Sequence, residues 1–167
     1  MSTWKPIPGW EGYYEASDTG LIRSVARTVL HRGHPRKIAT RILRPGTNPK
    51  GYQIAVLARD GGRFAYPVHR LVGETFLGPL PEGMQTLHID GDNSNNAVSN
   101  LRYGTPAENN RDITRHGRNV NAAKTHCPQG HGYTPDNLLG NGANGRKCRA
   151  CHRQRNAARR ARLRAAA

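Results

Sequence analysis

All three cysteines of this 167-residue chain lie in its last third, at Cys127, Cys148 and Cys151. His131 stands four residues after the first, and only Arg149 and Ala150 separate the other two. The pattern is C-x3-H followed by C-x2-C. An odd cysteine count argues against a disulfide framework and for a metal site. Three sulfurs and one imidazole satisfy tetrahedral Zn²⁺ and leave no open coordination position, so the site is read as structural. The segment is too short to bury an apolar core, and the metal would supply its stability. His126 and His152 compete as ligands, but His131 has the better knuckle-like offset.

The tail around and beyond this pattern is arginine and alanine. Arg149, Arg153, Arg155, Arg159, Arg160, Arg162 and Arg164 follow one another with no acid among them, on a background that favours helix. Over the whole chain, 26 Lys and Arg face 11 Asp and Glu, a formal charge of +15. Such a surplus draws polyanions, and phosphates that release counterions are the natural partner. Double-stranded DNA is the expected ligand, with the seven tail arginines along a groove or the backbone, adding affinity more than base selectivity. No apolar run or apolar helical face suits a membrane, no RNA-module signature appears, and no small-molecule substrate is indicated. The N-terminus lacks a secretory hydrophobic segment, which predicts a cytoplasmic protein. The chain is expected to act as a monomer.

Upstream, 19 Gly and 11 Pro in a chain only 35% apolar predict short strands and many turns around a small core. Tyr13–Ala16 and Leu21–Val25 read as strands around the Asp18-Thr19-Gly20 turn. Residues 26–50 are basic and read as a loop. A hairpin follows, Gly51–Ala58 and Arg63–Pro67, and then a helix over Val68–Phe76 with one apolar face. Gln85–Ile89 and Leu101–Gly104 read as strands flanking a polar loop. Thr105 caps a helix from Pro106 to about Arg115. The fold class is α+β, with a polar linker before the cysteines.

Chemistry concentrates in 85–112. His88 ends a strand, Asn100 precedes the next, and Asn109 sits in the first turn of the following helix. Hydrolysing a phosphodiester needs a base for water and a cation for the phosphate oxygens. A histidine serves as that base near neutral pH if its second nitrogen is oriented. Asn109 offers a neutral oxygen to a hard cation, and Asn100 can tie the loop so that His88 faces it.

The run of residues is more specific than this. His69-Arg70-Leu71-Val72, Phe76-Leu77-Gly78-Pro79, His88-Ile89-Asp90-Gly91-Asp92, Asn95-Asn96, Asn100-Leu101, Gly104-Thr105 and Glu108-Asn109 together resemble the HNH endonuclease family of phages and mobile introns. Trp4 to Tyr14, with Ser17 and Gly20, resembles the NUMOD-type module that often precedes such nucleases. The tail, with Tyr133-Thr134-Pro135-Asp136-Asn137, resembles the zinc-binding tails of many phage HNH proteins. The resemblance implies a small ββα-metal core, with His88 as general base, Asn100 supporting it and Asn109 as a ligand of catalytic Mg²⁺ (or Mn²⁺). Many members carry a metal-binding Asp or His just before the base; this chain has Leu87, so Asp90 or Asp92 could lend a carboxylate.

The implied organisation is a NUMOD-like, DNA-contacting module at 1–50, an HNH core at 51–116, a linker at 117–126, and a zinc module with its basic helix at 127–167. The implied activity is DNA phosphodiester hydrolysis leaving 5′-phosphate and 3′-hydroxyl ends, in the host cytoplasm if the chain is phage-encoded. The rival reading is a zinc-containing DNA-binding protein with a weakened or inactive nuclease site. Leu87 speaks for the rival; the intact His88, Asn100 and Asn109 speak for the enzyme.

Overall fold

Trp10 and Tyr14 meet edge to face, ring centroids 5.6 Å apart, at the centre of the N-terminal half. The computed structural model describes residues 1–140 and 145–166. β1 (Trp4–Pro6), β2 (Tyr14–Ser17) and β3 (Ile22–Ser24) run antiparallel beside this aromatic pair. β4 (Arg27–His31) and β5 (His34–Ile38) form a separate two-stranded ribbon, and β6 (Arg41–Ile42) returns to pair with β3. β7 (Gly46–Thr47), β8 (Gln53–Arg59) and β9 (Gly62–Pro67) make a three-stranded antiparallel sheet. Period-2 alternation is visible where one strand face meets the core. Ala55 and Leu57 are buried and Val56 between them is exposed.

The stretch 26–50, expected as a loop, therefore holds four strands. Its two-residue turn places Arg32 and Gly33 at φ 53° and 81°, the both-positive geometry of a type I′ hairpin. The signal was missed because β5 is exposed along nearly its whole length. A strand without a buried face shows no apolar alternation.

α1 (Val68–Phe76) begins directly after Pro67, and its Val68, Leu71 and Val72 are buried at the i, i+3, i+4 spacing of one helical face. They join Ile7, Trp10, Tyr14, Ile22, Leu57 and Leu101 in one apolar cluster. Tyr14 also ties strand to strand: its hydroxyl accepts from the Ala58 N–H at 3.0 Å and donates to the Ala58 carbonyl at 3.3 Å. β10 (Gln85–His88) pairs antiparallel with β11 (Leu101–Gly104), setting His88 opposite Leu101. α2 (Pro106–Arg115) follows behind a reciprocal cap. Thr105 Oγ1 accepts from the Glu108 N–H at 3.2 Å, and Glu108 Oε2 accepts from the Thr105 N–H at 2.7 Å. The α+β class and the ββα arrangement stand as expected.

Residues 1–118 form one compact unit and 119–167 another. The second opens on α3 (Val120–Ala123), a helical turn where a plain linker was expected. It closes on α4 (Arg149–Ala165), which begins two residues before Cys151. Among the described residues no helix is long and apolar enough to cross a membrane.

The turn at Gly20 joins the first sheet to the loop after His88. Its φ is +89°, and a Cβ there would lie 2.7 Å from the backbone carbon of Asn96. Gly20→Ala should cost about 1–3 kcal/mol through backbone strain and overpacking. A lowered urea midpoint would check this, and an unchanged midpoint would show that the contact yields freely.

Candidate active site and metal cluster

His88 is buried at the end of β10, and its Nε2 lies 3.2 Å from Asn96 Oδ1. The Asn96 amide nitrogen already donates twice, to Gln53 Oε1 at 2.9 Å and to the Ser94 carbonyl at 3.2 Å. Its oxygen is therefore the atom facing His88, so Nε2 carries the proton and Nδ1 keeps its lone pair. Burial pushes the His88 imidazole below its usual pKa; Asn96 and the carboxylates of Asp90 and Asp92 pull the other way, and the Arg118 charge adds to the lowering. The ring is thus neutral near neutral pH, the form a general base needs.

Asn100 works one step behind. Its Oδ1 accepts from the Asp90 N–H at 3.0 Å, while its amide donates to Asp90 Oδ1 and to the Asn95 carbonyl, both at 2.9 Å. Its own carbonyl accepts from the Ile89 N–H at 2.9 Å. These bonds pin both ends of the 90–95 loop. Asp90 is the hub: Oδ1 also accepts from the Asp92 N–H at 2.7 Å and Oδ2 accepts from the Asn95 amide at 2.8 Å. The Asn95 amide and the Asp92 N–H hold its carboxyl below the usual carboxylate range.

The cleft in front of His88 is lined by Tyr52, His69, Leu87, Asn109, His116 and Arg118, among others, but not by Asp90. Asn109 donates through its amide to Gln85 Oε1 at 3.1 Å, so the amide oxygen is not the atom that Gln85 engages. Leu87 is buried, so an apolar side chain fills the place next to the base. His69 was quoted above only as part of a run. Its ring lies 5.0 Å from that of His88 and 5.0 Å from that of Tyr52, and its Nδ1 is buried with no hydrogen-bond partner. Burial first, then the charges of His88 and Arg70, take its pKa down to about 4. The direct orienter Asn96 was likewise legible only as one of a pair of loop asparagines.

In the second unit, Cys127, His131, Cys148 and Cys151 converge, with one ligand atom from each lying within 4.8 Å of all the others. Cys127 Sγ is 3.6 Å from Cys151 Sγ and 3.5 Å from His131 Nδ1, and His131 Nδ1 is 3.3 Å from Cys151 Sγ. Tetrahedral Zn²⁺ with bonds of about 2.0–2.3 Å sets ligand atoms about 3.3–3.8 Å apart, so the separations among Cys127, His131 and Cys151 fit the ion, with the Cys148 sulfur within 4.8 Å of each. Cys148 caps α4. The Cys151 N–H at its sulfur, with the Asn137 amide, lowers its thiol to about 7, toward the thiolate a metal requires, while burial and the neighbouring sulfurs push the Cys151 thiol up to about 11. The competitors stand outside the cluster: His126 Nδ1 pairs with Thr125 Oγ1 at 2.8 Å and His152 Nδ1 with Asn156 at 3.3 Å. Along α4, Arg153, Arg155, Arg159, Arg160, Arg162 and Arg164 are exposed, and Arg149 at its start is half-buried.

A strand–loop–strand–helix with a neutral histidine at the first strand end and an asparagine on the helix is the arrangement expected of the HNH class, and this part of the chain is similar to the HNH endonuclease family. The family model described as HNH endonuclease matches residues 66–111, and the NUMOD4 motif matches residues 3–57. The chain is similar to the DNA endonuclease I-HmuI of Bacillus phage SP01, 33% identical over 125 residues, which are 72% of this chain and 63% of that protein. An SPbeta prophage-derived protein of Bacillus subtilis (strain 168), of the HNH homing endonuclease type, is 45% identical over 62 residues, 36% of each chain. A solved structure concerned with DNA binding and cleavage by I-HmuI superposes with a TM-score of 0.57 at 31% identity, over 72% of this chain and 63% of that one. The chain thus spans less than two thirds of the length of either relative.

The His69 environment has a thermodynamic signature. Its folded pKa is depressed from 6.5 to about 4, so below pH 6.5 the unfolded chain takes up a proton that the folded imidazole refuses. The stability it contributes is full above that value and is lost as pH falls toward about 4. Urea unfolding across this window should show a shallower loss for His69→Gln than for the parent. Equal slopes would mean that the folded imidazole protonates normally.

Proposed function

We propose that the protein is a metal-dependent HNH endonuclease of the phage or homing kind, hydrolysing phosphodiester bonds in double-stranded DNA as a monomer. The observation that carries this reading is a neutral His88, proton fixed on Nε2 by Asn96, opening onto the same cleft as Asn109. The DNA endonuclease I-HmuI, similar over 72% of this chain, supports the choice of substrate. In this mechanism His88 Nδ1 takes a proton from water, the water oxygen bonds to phosphorus as the bond to the 3′-oxygen breaks, and the leaving 3′-oxygen takes up a proton from solvent water. The products carry 5′-phosphate and 3′-hydroxyl ends. Asn100 holds the loop, and Asn96 keeps the imidazole in the acting tautomer.

Mg²⁺ or Mn²⁺, held by Asn109 together with water and the scissile phosphate, would supply charge neutralisation at the phosphate oxygens. Asp90 already accepts three hydrogen bonds on its two oxygens, so this reading leaves it in the loop and the ion on Asn109. With Leu87 unable to coordinate, the cation site is weak and fills well only when DNA is present. Plasmid cleavage titrated with Mg²⁺ tests the assignment. The parent should cut only at millimolar Mg²⁺ or better with Mn²⁺. Asn109→Ala and His88→Ala should lose at least about 100-fold, His88→Ala with DNA affinity retained, and Leu87→Asp should act at lower metal. Cleavage by His88→Ala at the parental rate would sink the active-site assignment.

The reading also gives the second unit one structural Zn²⁺ on Cys127, His131, Cys148 and Cys151, and makes the α4 arginines its phosphate contacts. Metal analysis of purified protein should return about one zinc per chain, as a single four-ligand site requires. Protein that is metal-free yet equally folded in this unit would rule the site out. Buried Leu87 favours a second reading, a zinc-containing DNA-binding protein with a silent nuclease site. A parent that binds DNA yet cuts at no Mg²⁺ or Mn²⁺ concentration would decide for it.

A further inference from the structure

We propose that Arg118 is a further catalytic residue, whose guanidinium grips the scissile phosphate in the cleft of His88 and Asn109. The inference rests on the nuclease reading above and supplies what that reading lacks, a protein cation at the reacting phosphate.

The basic residues lining the cleft are not equivalent. Arg70 is held by Glu74 at 2.8 Å. Close by, Arg102 and Arg115 are both bound to Asp112, at 2.5 and 3.1 Å. Arg118 also lines the cleft, is exposed, and makes no ion pair among the described residues. A guanidinium with five donors and no acid partner is suited to a phosphate, which it can engage through two parallel hydrogen bonds.

Its position is built from both ends. The Arg118 N–H donates to the Ile113 carbonyl at 3.0 Å, which anchors the residue just past the end of α2. Its head group rests on Gly91, whose N–H donates to the His88 carbonyl at 3.2 Å. Gly91 has φ +78°, and a Cβ there would overlap Arg118 Nη2 and come within 2.8 Å of His116 Cδ2. The bare glycine thus lets the guanidinium lie against the turn that follows the base. From there its charge is felt at His88, where it adds to the lowering of the imidazole pKa.

The chemistry gives this charge a purpose. Attack by water builds negative charge on the phosphate oxygens, and a preorganised donor there stabilises the transition state more than the ground state. Because buried Leu87 adds no ligand to the cation, a protein-borne positive charge carries more of that load.

The test uses the full-length chain with a duplex oligonucleotide for binding and a supercoiled plasmid for cleavage, comparing the parent with Arg118→Ala and Arg118→Lys. Thermal unfolding confirms that each variant folds. In EDTA, loss of one phosphate contact should reduce the slope of log affinity against log salt by about 0.9 for Arg118→Ala. Arg118→Lys, which keeps the charge, should retain the parental slope. With saturating DNA and metal, Arg118→Ala should cut about 100-fold more slowly, and Arg118→Lys should fall between the two. An unchanged slope and rate in folded Arg118→Ala would overturn the proposal, and so would a changed slope with a parental rate at saturation. A parent that never cuts would count against the nuclease reading alone, and the slope would still decide whether Arg118 holds a phosphate.

Discussion

One buried amide carries the geometry of the cleft. Asn96 is fully committed: its nitrogen donates to Gln53 on β8 and to the Ser94 carbonyl, its oxygen receives His88, and its backbone lies against Gly20. A buried polar group left unpaired costs about 1–3 kcal/mol, so each of these bonds enforces the others. The consequence is chemical as well as structural. Two acceptors on the nitrogen force the oxygen toward His88, and that choice selects the imidazole tautomer. The N-terminal sheets are therefore part of the support of the base: Val98 also donates its N–H to the Asp18 carbonyl at 2.9 Å, and one apolar cluster runs from Ile7 to Leu101.

The two units solve the problem of stability differently. Residues 1–118 bury Ile7, Leu57, Val68 and Val72 almost completely, and this core lets polar loop residues be spent on the cleft. Among the described residues of the second unit the buried positions are Cys127 and Cys148 themselves. With the zinc proposed above, a segment of that kind would depend on bonds to the metal rather than on apolar burial. The donor sets differ in the same sense. In the proposed reading the cysteine cluster would offer four ligands to a closed tetrahedral site, whereas the His88 cleft would offer an amide oxygen beside an apolar wall. Closed sites hold a structural ion; open ones leave positions for water and substrate.

Much of this was legible in the linear chain, and the reasons are specific. α1 and α2 were bounded correctly because Val68, Leu71 and Val72 fall on one face and because Thr105, Pro106 and Glu108 form a complete start signal. The cysteine set was legible because ligand spacing is a local property. The ribbon β4–β5 was not, because exposed strands in a basic context carry no alternation, and the positive φ of Arg32 has no residue signature. Asn100 was correctly placed at the loop, but its bonds go to Asp90 and Asn95, and the atom touching His88 belongs to Asn96. Choosing among six asparagines in 93–110 requires knowing which amide faces inward.

The sequence by itself carried the resemblance to HNH endonucleases, the ββα order of elements, a candidate base and a candidate four-ligand metal set, because each is written in contiguous residues or fixed offsets. Which groups share a cleft was decided only by folding. His69 reaches His88 across 19 positions, Gln53 reaches Asn96 across 43, and Arg118 reaches Gly91 by folding back past the end of α2. Burial, tautomer and the lowering of a pKa arise from such distant neighbours. They follow from the desolvation and dipoles that packing creates around a side chain, and these are settled in three dimensions rather than along the chain.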